Sequence, residues 1–249
     1  MIPLAEVAQK FSKAAQLYSV RADVQQVLAV ELAARMKVKS GAFVLDVGTG
    51  TGSVVHALKV KQPEAVYIGL DVAEGMLALA QGLRVRADCT YLPFKKDSFD
   101  IIVSASSYHW VEDMRAAFIS AMAVLKPGGC FGAVLFGKDT LKELFTALGH
   151  ASPVLSERLA LIPKLPSLAD VCAAISVSGI TAFDFETEIR KVKFTSIREI
   201  IRWIRETGAN GLGPGMFIGK DVLGRAEEYY AGYCNGEVSF ELIWLEARK

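Results

Sequence analysis

The sequence predicts an α/β fold: a doubly wound, mostly parallel sheet of seven strands, covered by helices and topped by a helical cap. Three observations predict it. Short apolar strands alternate with helices from residue 43 to residue 136, the pattern of a parallel sheet with helices on both faces. The stretch LDVGTGTGSV at 45–54 joins a strand to a helix through three glycines. Beyond Phe136 there is more helix than crossovers need, so part of it must pack as a cap.

Residues 3–37 read as helix. Val7, Phe11, Ala14, Ala15 and Tyr18 fall near one face, and Val24, Val27, Leu28 and Leu32 continue it after a break near Ser19 and Val20. Five strands follow: FVLDVG (43–48), VYIGLD (66–71), LRVRAD (83–88), FDIIVSAS (99–106) and CFGAVLF (130–136). Helical stretches near 53–61, 74–80 and 114–125 lie between them, and KPGG (126–129) stops the last of these before the fifth strand. Residues 139–149, 167–178, 195–207 and 220–233 then read as helix. FDFETEIRKV (183–192) and VSFELIWLEAR (238–248) alternate, as suits a β-hairpin at a sheet edge. One domain over 1–249 is expected, with N-terminal helices in 1–37 and cap segments in 139–180 and 194–234.

Of 249 residues, 52% are hydrophobic and 22% charged, and the net charge is +1. That is a globular composition. It predicts no general attraction to nucleic acid or to an anionic membrane. No apolar run reaches the roughly 18–20 residues that span a bilayer. The amphipathic start MIPLAEVAQKFSKAAQLY has no signal-peptide core, so a cytoplasmic protein is expected. Cys89, Cys130, Cys172 and Cys234 are far apart, with no histidines at zinc spacing. Buried, reduced thiols and no metal site are expected.

The glycine loop raises the question of its ligand. A dinucleotide fold wants G-x-G-x-x-G after its first strand. Gly48 and Gly50 fit, but Ser53 stands at the third glycine position and Gly52 comes one residue early. There is no G-K-[ST], which excludes a P-loop. Asp46 at the strand end would repel a pyrophosphate and attract a cation. Asp71 ends the second strand and Asp88 the third. In a doubly wound sheet these three acids line one crevice at the carboxyl ends of the strands. A carboxylate at the second position suits a ribose diol, and one at the third suits an exocyclic amine. Asp71 alone also suits a dinucleotide, and Asp88 alone also suits a turn cap. Taken together the acids imply a nucleoside with a positive charge and no phosphate, which fits S-adenosylmethionine.

VLDVGTGTG, GLDVAEGML, ADCTYLPFKKDSFDIIVSASSYHW and LKPGG resemble the successive motifs of class I S-adenosylmethionine-dependent methyltransferases, over residues 43–136. The resemblance implies a Rossmann-like seven-stranded sheet whose last strand is antiparallel. It implies that Gly48 and Gly50 approach the methionine part of the cofactor and that Asp71 holds the ribose. Asp88 takes the adenine end, bordered by Val72, Ala73 and Cys89, and Ser104 ends the fourth strand in the same site. Cys89 departs from the small or acidic residue often found there.

The flanks resemble a narrower group, the malonyl-[acyl-carrier protein] O-methyltransferases of biotin synthesis. KFSKAAQLYSVRADVQQVLAVELA (10–33), FGKDTLKEL (136–144), LPSLADV (165–171), FTSIREIIRWIRETGAN (194–210) and the ending VSFELIWLEARK carry this resemblance, which is weaker at GLGPGMFIGKD (211–221). It implies that the partner is malonyl-acyl-carrier protein or another malonyl thioester. A malonyl carboxylate is already ionised at neutral pH, so its methylation needs alignment and exclusion of water more than a general base. Tyr18 and His109 are the candidate orienting donors, and Arg202 in the cap helix is the candidate cation. Plainer roles suit them too: packing for Tyr18, a hydrogen-bonded loop position for His109. Residues 1–20 and 194–210 are expected to form a lid, remote enough from the acids that losing 1–20 leaves cofactor affinity within a few-fold. Rival readings are a methyltransferase acting on a small molecule or quinone precursor, a non-catalytic cofactor-binding regulator, and an oxidoreductase, which the missing third glycine disfavours.

Overall fold

The computed structural model describes residues 3–160, 165–180, 182–209 and 218–249. Met1, Ile2, Thr181 and residues 161–164 and 210–217 lie outside it, and with them most of the GLGPGMFIGKD stretch and parts of the expected lid and cap segments.

Seven strands form one sheet in the order β3-β2-β1-β4-β5-β7-β6. They are β1 (Phe43–Val47), β2 (Val66–Asp71), β3 (Leu83–Arg86), β4 (Phe99–Ala105), β5 (Leu125–Phe136), β6 (Ala182–Lys193) and β7 (Glu237–Arg248). The first five pair in parallel. β7 runs antiparallel to both β5 and β6. The chain works outward from β1 to β3 and then restarts at β4, so the switch point lies between β1 and β4.

Two expectations need correction here. β6 and β7 pair along their whole length, Ala182 opposite Arg248 and Lys193 opposite Glu237, but they are not a hairpin. Two helices separate them in the chain, and β7 inserts between β5 and β6, leaving β6 alone at the edge. β5 also begins at Leu125 rather than Cys130, because Leu125 pairs with Phe99 across an irregularity in the register. The glycines of KPGG are held by the end of β7: Gly128 N–H donates to Lys249 O, and Lys249 N–H donates to Gly129 O.

Ten α-helices are described: α1 (Leu4–Arg21), α2 (Asp23–Arg35), α3 (Ser53–Lys61), α4 (Glu74–Leu79), α5 (Met114–Val124), α6 (Lys142–Ala151), α7 (Pro153–Ala160), α8 (Leu168–Ser176), α9 (Ile197–Glu206) and α10 (Lys220–Tyr233). The break between α1 and α2 falls at Ala22, later than expected, because Ala22 N–H still donates to Tyr18 O. α7 was not separable in the sequence. It starts on Pro153, whose fixed φ suits a first helical turn.

Successive side chains of a strand face opposite sides, and the two cores follow from that. Val44 joins Leu28 and Leu32 of α2, Leu58 of α3, Leu144 of α6, Ile197 and Ile200 of α9 and Tyr230 of α10. Leu45 and Val47 face the other way, toward Phe118 of α5 and Val171 of α8. α9 buries Ile197, Ile200, Ile201 and Ile204 and turns its arginines out. Its first turn is capped by Ser196, whose Oγ accepts from Glu199 N, and by Glu227 of α10, which accepts from Ile197 N at 2.8 Å.

α1 sits apart from both cores. It crosses α4 so closely that a Cβ on Gly75 would lie 2.4 Å from the backbone oxygen of Ser12. Gly75 N–H donates to Ser12 Oγ at 3.2 Å. Phe11, Ala15 and Tyr18 of α1 pack with Ala73, Met76 and Leu79. A Cβ on Gly208, just past α9, would lie 3.1 Å from both Phe11 and Ala14. The four cysteines are free, and each is only partly buried rather than buried as expected.

Candidate active site

The loop after β1 is fixed by backbone bonds to the neighbouring strand. Gly48 N–H and Thr49 N–H both donate to Leu70 O, at 2.7 and 2.9 Å. Gly48 has φ +71°, and a Cβ on it would lie 2.0 Å from Ser107 Oγ. Only glycine allows the loops after β1 and β4 to interlock in this way. Gly50 is the contrasting case. Its φ is +55°, and a Cβ there would meet nothing within 4 Å, so open space lies over it.

Three acids stand where the strands end, but their surroundings differ. Asp71 accepts Gly50 N–H on Oδ2 at 2.9 Å and Ala73 N–H on Oδ1 at 2.8 Å. Its pKa is raised by burial, with these backbone bonds opposing. Asp46 is completely buried. Its Oδ2 accepts from Thr49 Oγ1 at 2.7 Å, while Oδ1 has no partner among the described residues. Burial pushes its carboxyl up to about 7, the Thr49 bond opposes this, and the Asp71 charge adds to it. A cation nearby would favour its ionised form. Asp88 accepts Thr90 N–H on Oδ1 at 2.9 Å, a turn-capping bond.

These loops surround a cavity of about 680 Å³, counted with its solvent-open mouth. Gly48, Gly50, Asp71 and Asp88 line the strand-end side, with Val72, Ala87 and Cys89 beside the acids. Leu4, Val7, Phe11 and Tyr18, at spacings that keep them on one side of α1, close it from above. Ala105, Ser106, Ser107, Trp110 and Val111 complete the far wall. Phe11 meets Trp110 edge-to-face at 5.6 Å. No lysine or arginine appears in this lining among the described residues. Two carboxylates with no cation disfavour a pyrophosphate and suit a cationic ligand with hydroxyls and a flat apolar part.

Residues 45–132 match the family model described as a methyltransferase domain. These residues carry a methyltransferase domain. The chain's sheet and helices agree with those of YcgJ from Bacillus subtilis, with a TM-score of 0.61 at 21% identity over 91% of this chain and 98% of that one. A malonyl-[acyl-carrier protein] O-methyltransferase of Dechloromonas aromatica is 28% identical over 98% of this chain and 94% of that protein. The biotin biosynthesis bifunctional protein BioHC of Teredinibacter turnerae is also 28% identical, over 98% of this chain but only 46% of its own length. The chain therefore spans about half the length of the bifunctional relative.

The residues singled out from sequence divide cleanly. Tyr18, Gly48, Gly50, Asp71, Val72, Asp88 and Cys89 meet at the cavity. Burial and the charges of Asp71 and Asp46 keep the Tyr18 phenol protonated, well above its ordinary pKa. Burial, with Asp88 adjacent, pushes the Cys89 thiol up to about 12.

Four others are placed elsewhere. Asp46 lies beneath the loop, not on the cavity wall. Ser104 is buried and donates to Val47 O at 2.8 Å, tying β4 to β1. His109 is 8% exposed, and its Nδ1 accepts Phe136 N–H at 3.3 Å. It packs between Trp110 and Phe136, and burial lowers its pKa to about 3, so it stays neutral. Arg202 projects from the exposed face of α9 and does not reach the cavity lining.

Val7 and Phe11, expected only as positions on the apolar face of α1, also line the cavity, and so do Leu4, Ser106 and Ser107, to which the sequence assigned no role. The signals were present: Leu4, Val7 and Phe11 extend the face of Tyr18 toward the start of α1, and SSYHW follows directly on β4.

Proposed function

We propose that this chain uses S-adenosylmethionine to methylate the free carboxylate of a malonyl thioester borne by an acyl-carrier protein. One observation carries the choice of acceptor: among the described residues, the cavity has no side chain suited to act as general base. Tyr18 and Cys89 are both held protonated, His109 is buried behind the wall, and Asp71 and Asp88 stand at the nucleoside end. An acceptor that must lose a proton is poorly served there. A carboxylate needs none removed. The near full-length match to an enzyme named for malonyl-[acyl-carrier protein] supports the same acceptor.

In this reading Asp71 accepts the ribose hydroxyls on its remaining lone pairs. Asp88 takes the adenine amine, with Val72 and Cys89 flanking the ring. Gly48 and Gly50 give backbone access to the methionine part, and the buried Asp46 supports its positive charge from below. When bound, the cofactor would supply an electrophilic methyl group on its sulfonium, which a carboxylate could accept without losing a proton. α1 closes the cavity and excludes water. The Tyr18 hydroxyl remains a donor to orient the acceptor. Arg202 fits a role outside the cavity, on the surface a carrier protein approaches.

Gly50→Val places a branched side chain in the open space over the loop, at a φ that costs L-residues about 1–2 kcal/mol. Calorimetry is expected to find adenosylmethionine binding abolished, with unfolding still cooperative. Normal binding by this variant would place the cofactor elsewhere. The acceptor is tested by assaying the wild-type protein on malonyl-acyl-carrier protein, malonyl-coenzyme A and a panel of small acids and quinone precursors. Methyl transfer to malonyl thioesters is the expected result. Transfer only to a small acid or quinone precursor would remove the carrier-protein reading and leave a general methyltransferase.

A further inference from the structure

Ser106 stands one residue past β4, with φ +54°, a conformation that residues with a Cβ seldom hold. Both sides fix it there. Its N–H donates to Val134 O of β5 at 2.8 Å. Its neighbour Ser107 is locked against Gly48, in the space a Cβ would need. Ser106 lines the cavity. Its Oγ is buried and has no hydrogen-bond partner among the described residues. A buried hydroxyl without a partner is unfavourable, and strained backbone at a cavity wall collects where a ligand is gripped. The two features coincide on one residue.

The sheet order says which ligand. Across the cavity the strand ends run β3, β2, β1, β4, which places Asp88, Asp71, the glycine loop and then Ser106. Ser106 thus lies across the loop from the nucleoside acids. Its end of the cavity is walled by Trp110, which Phe11 meets edge-to-face. We propose that Ser106 is a positioning residue for the methyl acceptor. Its hydroxyl donates a hydrogen bond to the carboxylate oxygen that does not attack, which turns the other oxygen toward the methyl group. This rests on the carboxylate acceptor proposed above. It adds a second donor to Tyr18, supplied from the opposite wall.

The test compares wild type, Ser106→Ala and Ser106→Gly on malonyl-acyl-carrier protein, with the cofactor dissociation constant and the thermal midpoint measured for each. Alanine removes the hydroxyl and keeps the unfavourable φ. Glycine removes the hydroxyl and relieves it. Both variants are expected to lose about 10-fold in kcat/KM for the acceptor, with cofactor affinity unchanged and the glycine variant unfolding no earlier than wild type. A loss in the alanine variant alone would assign the effect to the backbone and overturn the proposal. So would activity within 2-fold of wild type in both variants, or a matching loss of cofactor affinity. The wild-type measurement separates this from the broader reading. An inactive wild type removes the malonyl acceptor and the Ser106 role with it, whereas an active wild type with unaffected variants removes only the latter.

Discussion

Asp71→Ala is expected to weaken adenosylmethionine binding by roughly 30- to 900-fold, the equivalent of about 2–4 kcal/mol for two hydrogen bonds lost from a dry site. The structure adds a second reason for a large effect. The same carboxylate accepts Gly50 N–H and Ala73 N–H, so it holds the glycine loop as well as offering lone pairs to a ligand. Alanine leaves both N–H groups without that partner. Some loss of loop order should therefore accompany the loss of affinity, visible as faster amide exchange at Gly50 and Ala73. Calorimetry on wild type and variant decides the matter: unchanged affinity would sink the ribose assignment, whatever happens to the loop.

Deleting residues 1–20 is expected to reduce methyl transfer by at least about 100-fold, since alignment and water exclusion are what the cavity contributes to this chemistry. From sequence alone, the acids lie far enough from the N-terminus that cofactor affinity should survive. The structure changes that expectation. Leu4, Val7, Phe11 and Tyr18 form one wall of the cavity that Asp71 and Gly50 also line, and the Tyr18 phenol feels the charges of Asp71 and Asp46. Cofactor affinity should fall too, though by less than turnover. Tyr18→Phe leaves the wall in place and removes only the hydroxyl, so it should lower turnover with little change in cofactor affinity. A truncated protein that still unfolds cooperatively and keeps its turnover would show that α1 is not the lid.

The parts legible in the sequence were those fixed by chain-local rules. An acid at the end of an apolar strand, or a glycine where a strand turns into a helix, takes its place from its own few neighbours, and the position of Asp71, Asp88, Gly48 and Gly50 at one cavity could be read that way. What escaped depends on direction. Ser104 and Ser106 are two residues apart, and a positive φ at Ser106 decides where the second hydroxyl goes. No composition signal marks a serine for that conformation. Arg202 belongs to a helix whose isoleucine spacing already turns it outward, so its exposure was readable and was overlooked in favour of its charge. His109 looked like a donor because of where it falls after β4, but its neighbours in space are aromatic. The hairpin misreading of β6 and β7 has a similar origin: alternation marks a half-buried strand, not which strand lies beside it, and α9 and α10 separate the two in the chain.

The placement of β7 between β5 and β6 also bears on how the molecule is assembled. β6 hydrogen-bonds to no strand except β7, and β7 joins residues 130–136 to partners at 242–248. During synthesis, β6 therefore leaves the ribosome about 40 residues before the strand that will receive it, while the free side of β5 waits longer still. Contacts this distant in sequence form late, and an unpaired strand edge in the interval invites pairing with another nascent chain. The side chains of β6 counter this. Asp184, Glu186, Glu188 and Arg190 keep one of its faces charged, and Lys191 and Lys193 charge the end of the other, which otherwise carries Phe183, Phe185 and Ile189, so one face of the waiting strand is a poor template for a neighbour. Arg190 pairs locally with Glu188, but it reaches Glu31, and Lys191 reaches Glu143, only when α2 and α6 pack against the sheet.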